Sequence, residues 1–229
     1  MTSTLHLDTQ HLLPRASLMP AVNFRLLLVT DRQQTGGRPL LDVLRSALAA
    51  GVRAIQLRER DLSSRDLLRL AQDVQRLTIV AGGQLLINDR VDVAMTLDNV
   101  GVHLRANSLP VAVARKLLGG QRLIGISAHS VDDVVRAEAE GADYVVLGPI
   151  YETPSKTIYG APLGVRAIEE AYRRVRVPVI GIGGVTATRA LEVRHAGAFG
   201  VAVVTAVLGA VDVERAAREV LDAVSRSSS

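Results

Sequence analysis

The sequence contains no cysteine, and only 3% of its 229 residues are aromatic. The absence of cysteine excludes disulfide bonds and thiolate metal sites. The shortage of aromatic side chains argues against surfaces that stack nucleic-acid bases, so no nucleic-acid partner is expected. The longest uncharged run near the end of the chain is Ala198–Val211. It is well short of the roughly 20 apolar residues that a membrane-spanning helix needs, so no membrane partner is expected either.

The composition is that of a soluble enzyme. The chain is 48% hydrophobic and 22% charged, with a net charge of +4 and a pI near 9.9. Charges of both signs are interspersed, and an anionic substrate together with ordinary solvated faces accounts for the surplus of arginine. We expect one cytoplasmic domain over residues 23–224, a loosely ordered extension over residues 1–22 and a frayed tail over residues 225–229. The oligomeric state stays open, with a homodimer as one option.

Two apolar runs in the last third of the chain predict a phosphate site. Val177–Gly184 and Gly197–Ala206 each end in small residues and each lead into a helical segment. This pattern is typical of the last two strands of a (β/α)8 barrel, whose following loops commonly bind phosphate through backbone N–H groups. The predicted phosphate-binding residues are Gly183, Gly184, Val204 and Thr205. The alternative is a barrel whose glycine-rich turns bind no ligand.

Strand and helix patterns alternate along the whole chain. Eight mostly unbroken apolar runs predict parallel strands that are buried on both faces: Phe24–Thr30, Arg53–Arg58, Gln84–Asn88, Gly101–Leu104, Leu123–Ser127, Tyr144–Gly148, Pro178–Gly183 and Gly200–Val204. Helices are predicted at Leu40–Ala50, Ser64–Leu77, Val91–Leu97, Leu109–Leu118, Val131–Glu140, Gly164–Val175, Ala187–Ala196 and Val213–Val224. Several of them end at a glycine, namely Gly51, Gly119, Gly141 and Gly197. Eight such units, with no Gly-x-Gly-x-x-Gly after the first strand, favour a closed single-domain TIM barrel over a doubly wound open sheet.

Polar side chains cluster where the predicted strands end. In a barrel of this kind, the active site lies at the carboxyl ends of the strands. The polar residues at those ends include Asp31, Arg32, Gln56, Arg58, Glu59, Arg60, Asn88, Asp89, His103, Ser127, His129, Thr153, Ser155 and Lys156. Buried polar groups are unfavourable unless they are used. The cluster therefore predicts an enzyme that acts on a phosphorylated small molecule.

Seven motifs resemble the family of thiamine phosphate synthase and thiazole tautomerase. Six of the motifs start at Val29, Gln56, Ile87, Gly101, Gly125 and Asp143, and the seventh consists of the two terminal loops. The resemblance extends from Leu26 to Leu208. The synthase joins a pyrimidine diphosphate to thiazole phosphate and releases pyrophosphate. For that activity the resemblance implies substrate binding by Gln56, Arg58, Asn88, Ser127, Thr153 and Lys156, to which we add Arg60 and Ser155, and a magnesium ion on Asp89. Arginine and lysine suit diphosphate oxygens, and a carboxylate suits Mg²⁺.

Two departures from the synthase pattern favour the tautomerase. The synthase motif Gly-Gln-x-Asp, whose aspartate is a second magnesium ligand, is replaced by a stretch that ends in Ser108. Glu152 also stands in the loop after strand six, where an acidic residue would repel a diphosphate. The tautomerase aromatises thiazole carboxylate phosphate by moving a proton and needs no metal. We therefore expect no cofactor, with His129 as the proton shuttle and Asp89 as the second catalytic residue.

Several alternatives stay open at this point. One is a magnesium-dependent synthase, and another is a non-catalytic protein that binds thiamine precursors. His129 either acts chemically or only caps a helix or bonds to the backbone, and Arg58 either binds a ligand or pairs with Glu59 or Asp89. Asp31 and Arg32 either belong to the site or form a local salt bridge. We expect His103 to be an interior structural residue and His195 to lie on the surface.

Overall fold

The computed structural model describes residues 22–153 and 161–226. Eight parallel strands form a closed barrel in the order of the sequence. They are β1 Leu26–Val29, β2 Ala54–Leu57, β3 Gln84–Asn88, β4 Gly101–Leu104, β5 Ile124–Ala128, β6 Tyr144–Leu147, β7 Val179–Ile182 and β8 Gly200–Val203. The predicted (β/α)8 TIM barrel is confirmed. The predicted extension and tail lie almost entirely outside the described residues.

Helices follow the strands on the outside of the barrel. They are α1 Leu40–Ala49, α2 Ser64–Val80, α3 Val91–Met95, α4 Val111–Leu118, α5 Val131–Ala139, α6 Val165–Arg174, α7 Ala187–His195, α8 Thr205–Leu208 and α9 Val213–Ser225. All eight predicted helices are present, and the four glycines expected to end helices have positive φ. The sequence patterns missed α8 and the 3₁₀ helix Arg32–Gln34, because both are too short to show a periodicity. No helix in the described ranges is both long and apolar enough to cross a bilayer.

The apolar core has two layers. The larger lies between the outer faces of the strands and the helices, and the smaller fills the barrel itself. Tyr144 crosses the barrel interior, where its ring meets Phe24 edge-on with centroids 5.7 Å apart. Its neighbour in the β5–β6 register is Gly125. A Cβ on Gly125 would lie 2.0 Å from the tyrosine ring, so the missing side chain makes room for this packing.

The registers between neighbouring strands bring the predicted polar residues to one end of the barrel. Alternate residues of a strand point into the barrel. The pairing of Asn88 with His103 and of Gln56 with Leu86 places polar side chains above the apolar interior layer. The barrel mouth at the carboxyl ends of β2 to β5 is therefore the polar region of the interior.

Candidate active site

Two predicted substrate-binding residues meet directly at the mouth of the barrel. The Nε2 atom of Gln56 donates to Oδ1 of Asn88 at 3.0 Å. Gln56 is buried, with 4% of its surface exposed, and Asn88 is half-buried. This bond fixes both amides, and it leaves the remaining donors of Asn88 for a ligand.

An arginine-rich pocket of about 220 Å³ opens beside this pair. We call it the arginine pocket, and its walls are Leu57, Glu59, Arg60, Leu62, Leu67, Asn88, Asp89, Arg90 and Arg105. Three of these side chains are cationic and two are anionic. Of the two anions, Glu59 already binds Arg32 outside the pocket at 3.2 Å. Arg90 is likewise bound to Asp92, at 2.5 Å, so Arg60 and Arg105 are the cations that remain for a phosphate or diphosphate group.

The carboxylate of Asp89 is engaged at both oxygens. Arg105 contacts Oδ2 through Nε and Nη2, each at 2.5 Å, and the hydroxyl of Ser108 donates to Oδ1. Asp89 has a φ of 64°, a left-handed conformation that is uncommon for residues other than glycine, asparagine and aspartate. The suggested pairing of Asp89 with Arg58 stays a prediction, and the partners that these contacts give to Asp89 are Arg105 and Ser108.

This arrangement does not fit a preformed magnesium site. Mg²⁺ prefers octahedral oxygen ligands and is usually held by one or two carboxylates that are free to coordinate it. Here the carboxylate of Asp89 has a guanidinium on one oxygen and a hydroxyl donor on the other, and the second carboxylate of the pocket, Glu59, is bound by Thr30 and Arg32. Within residues 22–153 and 161–226, no group of three or more His, Cys, Asp or Glu side chains is arranged to hold a metal.

His103 links the barrel interior to the mouth. Its Nδ1 lies 3.0 Å from the hydroxyl of Tyr144, and its Nε2 lies 2.9 Å from Oγ of Ser127. Burial lowers the pKa of His103 to about 3, so the ring is neutral at pH 7. The expectation that His103 is an interior structural residue is confirmed, and His195 is exposed on α7 as expected.

Hydrogen-bond accounting assigns the proton on this ring. Among the described residues, His103 is the hydrogen-bond partner of the Tyr144 hydroxyl. This buried hydroxyl therefore makes its hydrogen bond by donating to Nδ1. The ring then carries its own proton on Nε2 and donates it to Ser127. The hydroxyl hydrogen of Ser127 is consequently directed away from His103 and is available to a ligand.

His129 lies half-buried between the ends of β5 and β6. Its Nδ1 is 2.8 Å from the carbonyl oxygen of Gly148, which can only accept, so Nδ1 carries a proton. In the neutral ring, Nε2 is then the nitrogen without a hydrogen. The side chain that caps α5 is that of Ser130, which accepts from the N–H of Asp133. His129 thus bonds to backbone through Nδ1, as one of the sequence alternatives held.

The two terminal loops present N–H groups across the mouth from the arginine pocket. Apart from the ladder bonds of the strands, the N–H groups of the predicted residues Gly183, Gly184, Val204 and Thr205 have no acceptor within residues 22–153 and 161–226. Gly184 has a φ of 63°, and a Cβ there would lie 2.8 Å from the carbonyl oxygen of Glu152. The loop after β6 is thus packed directly on the glycines, and unpartnered N–H groups of this kind can bind an anion.

The polar residues after β1 and β2 form a support for the mouth. Arg32 binds Glu59 and also Asp61, the latter at 2.6 Å. Thr30 donates to Glu59 at 2.6 Å and accepts from the backbone N–H of Arg58 at 3.0 Å. The suggestion of a local Asp31–Arg32 salt bridge is wrong, because Asp31 instead accepts from the N–H of Gln33 at the start of the 3₁₀ helix.

The remaining predicted residues Thr153, Ser155 and Lys156 follow β6, where the structure describes the chain only in part. Thr153 is described and half-buried, whereas Ser155 and Lys156 lie outside the described residues. Three residues were missed as members of the site or its support: Arg90, Arg105 and Tyr144. One feature of the sequence could have pointed to Arg105, because this arginine stands at the position of the glycine that begins the synthase motif.

The fold and the mouth together define a (β/α)8-barrel protein with anion-binding groups on two opposite sides of its site. A family model described as thiamine monophosphate synthase matches residues 26–207. The chain belongs to this family.

Relatives with curated names agree over nearly the whole chain. A putative thiamine-phosphate synthase of Geobacter sulfurreducens is 47% identical over 203 residues, which are 89% of this chain and 95% of the relative. A thiamine-phosphate synthase of Moorella thermoacetica is 42% identical, covering 88% of this chain and 96% of the relative. The solved thiamine phosphate pyrophosphorylase of Pyrococcus furiosus superposes with a TM-score of 0.80 at 32% identity, covering 88% and 95%.

Proposed function

We propose that this chain is a thiamine-phosphate synthase, a transferase that joins hydroxymethylpyrimidine diphosphate to thiazole phosphate and releases pyrophosphate. The names of its full-length relatives support this alternative better than the tautomerase that Ser108 and Glu152 favoured. The backbone of Glu152 lies against Gly184 on the β6–β7 side of the mouth, and Glu152 is not part of the wall of the arginine pocket.

The observation that carries the proposal is the presence of two anion-binding regions. The arginine pocket lies at the ends of β2 to β4, and the unpartnered N–H groups lie at the ends of β7 and β8. In a closed barrel of eight strands, β3 and β4 face β7 and β8. A transferase with one diphosphate and one monophosphate substrate uses both regions for phosphate groups, whereas the tautomerase substrate has one phosphate and one carboxylate and no diphosphate to place in the arginine pocket.

The residues of the mouth suit the bond changes of this transfer. The C–O bond between the pyrimidine methylene and the diphosphate breaks, and the thiazole nitrogen forms a new C–N bond to the same carbon. Arg60 and Arg105 are placed to stabilise the negative charge that develops on the departing pyrophosphate, beside Arg90, which Asp92 already binds. Gln56, Asn88 and Ser127 offer the amide and hydroxyl groups that would orient the pyrimidine. Arg58 and Thr153 remain further candidates for substrate contacts.

Thiazole tautomerisation is a second candidate. The observation that favours it is the Asp89–Arg105 pair, because the carboxylate that would hold magnesium in a synthase is engaged elsewhere. His129 would then shuttle the ring proton through Nε2.

Product analysis separates the candidates. The protein is incubated with both synthase substrates, once with MgCl₂ and once with EDTA, and thiamine phosphate and pyrophosphate are quantified. A parallel reaction with thiazole carboxylate phosphate alone follows aromatisation by NMR. We expect equimolar thiamine phosphate and pyrophosphate. Aromatisation without thiamine phosphate would replace the proposal with the tautomerase, and phosphate-ester binding without either product would identify a non-catalytic binding protein.

A further inference from the structure

We propose that Arg105 is a built-in cation of the arginine pocket, which takes the place of a divalent metal at Asp89 and lets the pocket bind a diphosphate group without one. The choice of a diphosphate ligand rests on the proposed function. The charge arrangement itself depends on Asp89, Arg105 and Ser108 alone.

The geometry gives Arg105 a fixed inner edge and an open outer edge. Its Nε and Nη2 atoms contact Oδ2 of Asp89, and Asp89 is its acceptor within the described residues. A guanidinium has five N–H donors in a planar fork. The donors that do not face Asp89 remain for a ligand, and the half-exposed side chain lies in the wall of the pocket.

Backbone bonds hold this pair in place. The N–H of Asp89 donates to the carbonyl of His103 at 2.9 Å, which fixes the end of β3 against β4. The N–H of Ser108 donates to the carbonyl of Arg105 at 3.1 Å, which closes a turn. This turn brings Arg105 and Ser108 to the same carboxylate, so the cation is in position before any ligand arrives.

The chemistry of the two cations explains the exchange. A divalent metal at Asp89 would bridge the carboxylate and the phosphate oxygens. A guanidinium can make the same bridge, since it can donate to a carboxylate on one edge and to a phosphate on another. Loss of the second carboxylate at position 108 is consistent with this exchange, because the single charge of Arg105 needs only Asp89 for neutralisation.

The first experiment titrates inorganic pyrophosphate by calorimetry in EDTA and in millimolar MgCl₂. We expect the wild-type protein to bind pyrophosphate in EDTA no more weakly than with MgCl₂. Arg105→Ala should weaken binding in EDTA by about tenfold or more, since it removes charge-assisted donors. Arg45→Ala is the matched control, because Arg45 is an exposed arginine on α1 paired with Asp42. Binding that MgCl₂ strengthens about tenfold in the wild type, or that Arg105→Ala leaves unchanged, would overturn the proposal.

The second experiment titrates Mn²⁺ and follows the free ion by electron paramagnetic resonance. The double variant Arg105→Ala/Ser108→Asp frees Asp89 and supplies a second carboxylate. We expect it to bind Mn²⁺ about tenfold or more tightly than the wild type. Urea unfolding of each variant establishes that it is folded. A folded double variant that binds Mn²⁺ no better than the wild type would contradict the assignment of Arg105 to the metal position.

These readouts are independent of turnover. Failure to form thiamine phosphate, with metal-free pyrophosphate binding intact, would reject the proposed function and leave the role of Arg105 standing. Thiamine phosphate synthesis by a protein whose Asp89 binds Mn²⁺ tightly would do the reverse.

Discussion

The Nε2 atom of His103 lies 2.9 Å from the hydroxyl oxygen of Ser127 and holds that hydroxyl from inside the barrel. The opposite ring nitrogen accepts from Tyr144, so the chain of hydrogen bonds has one direction, from Tyr144 through His103 to Ser127. The neutral ring passes no charge to the mouth. It fixes the orientation of a hydroxyl that is placed to contact substrate, which makes His103 a positioning residue.

Removal of the tyrosine hydroxyl should weaken this chain at its source. In Tyr144→Phe, Nδ1 loses its buried donor, and the loss of a buried hydrogen bond typically costs about 1–3 kcal/mol of unfolding free energy. Urea unfolding measures this loss. Tyr172→Phe is the control, because Tyr172 is 64% exposed and should leave stability nearly unchanged. Equal stabilities of the two variants would contradict a stabilising role of the Tyr144–His103 bond.

Acid should destabilise the fold through His103. The unfolded histidine takes up a proton near pH 6.5, whereas burial keeps the folded one neutral until about pH 3. Between these values the unfolded state binds more protons, so stability falls as the pH falls. From pH 6 to pH 4 this group should remove about 2.5 kcal/mol of unfolding free energy. His103→Gln should lose correspondingly less over the same range, and an identical loss in both proteins would contradict the prediction.

The space under Tyr144 gives a test of the barrel interior. Gly125→Ala would place a Cβ within 2.0 Å of the tyrosine ring, and both groups are fixed in neighbouring strands. Overpacking of a core typically costs about 1–3 kcal/mol or more. Gly120→Ala is the control, since a Cβ there meets nothing within 4 Å. The double variant Gly125→Ala/Tyr144→Leu should recover part of the lost stability, and its failure to do so would place the strain elsewhere.

Much of the fold could be predicted from the sequence because buried parallel strands are unbroken apolar runs. Ser63 and Ser130 cap α2 and α5, and glycines mark helix ends, so local chemistry set most boundaries. The meeting of Gln56 with Asn88 could also be expected, because parallel strand ends lie at the same level of the barrel.

The contacts of Arg105 and Tyr144 could not be predicted in the same way. The pattern of residues showed that an aspartate had become Ser108, but not that an arginine three positions earlier reaches the carboxylate that remains. That contact depends on the turn from residue 105 to 108. The position of the Tyr144 side chain depends on the absence of a Cβ at Gly125 in the neighbouring strand. The preference for the tautomerase rested on Ser108 and Glu152 alone, and the comparisons support the synthase better.

The packing of the glycine loop predicts a defect in phosphate binding. Gly184→Ala introduces a Cβ within 2.8 Å of the carbonyl oxygen of Glu152 at a φ of 63°. Gly82 has the same φ with nothing within 4 Å, so Gly82→Ala carries the same backbone strain without the clash. We expect the affinity for thiazole phosphate, measured by calorimetry, to fall about tenfold in Gly184→Ala only. Similar losses in both variants would attribute the effect to backbone strain, and unchanged affinity would move the phosphate site elsewhere.

Replacement of His129 should distinguish the two reactions. Aromatisation of thiazole carboxylate phosphate moves a proton, so the loss of a general acid or base at Nε2 should lower its rate by about 10²- to 10⁴-fold. The synthase reaction forms a C–N bond from the thiazole nitrogen lone pair and transfers no proton at the reacting atoms. We therefore expect His129→Asn to keep thiamine phosphate synthesis within about tenfold of the wild type.

The control for this variant is His195→Asn, because His195 is exposed on α7. Both assays are run on the same preparations, and kcat and KM are obtained separately. A loss of about 10²-fold or more in thiamine phosphate synthesis, with KM unchanged, would place His129 in the transfer itself. The Nδ1 bond to Gly148 makes that outcome interpretable, because the asparagine amide can still donate to this carbonyl but does not serve as a general acid or base.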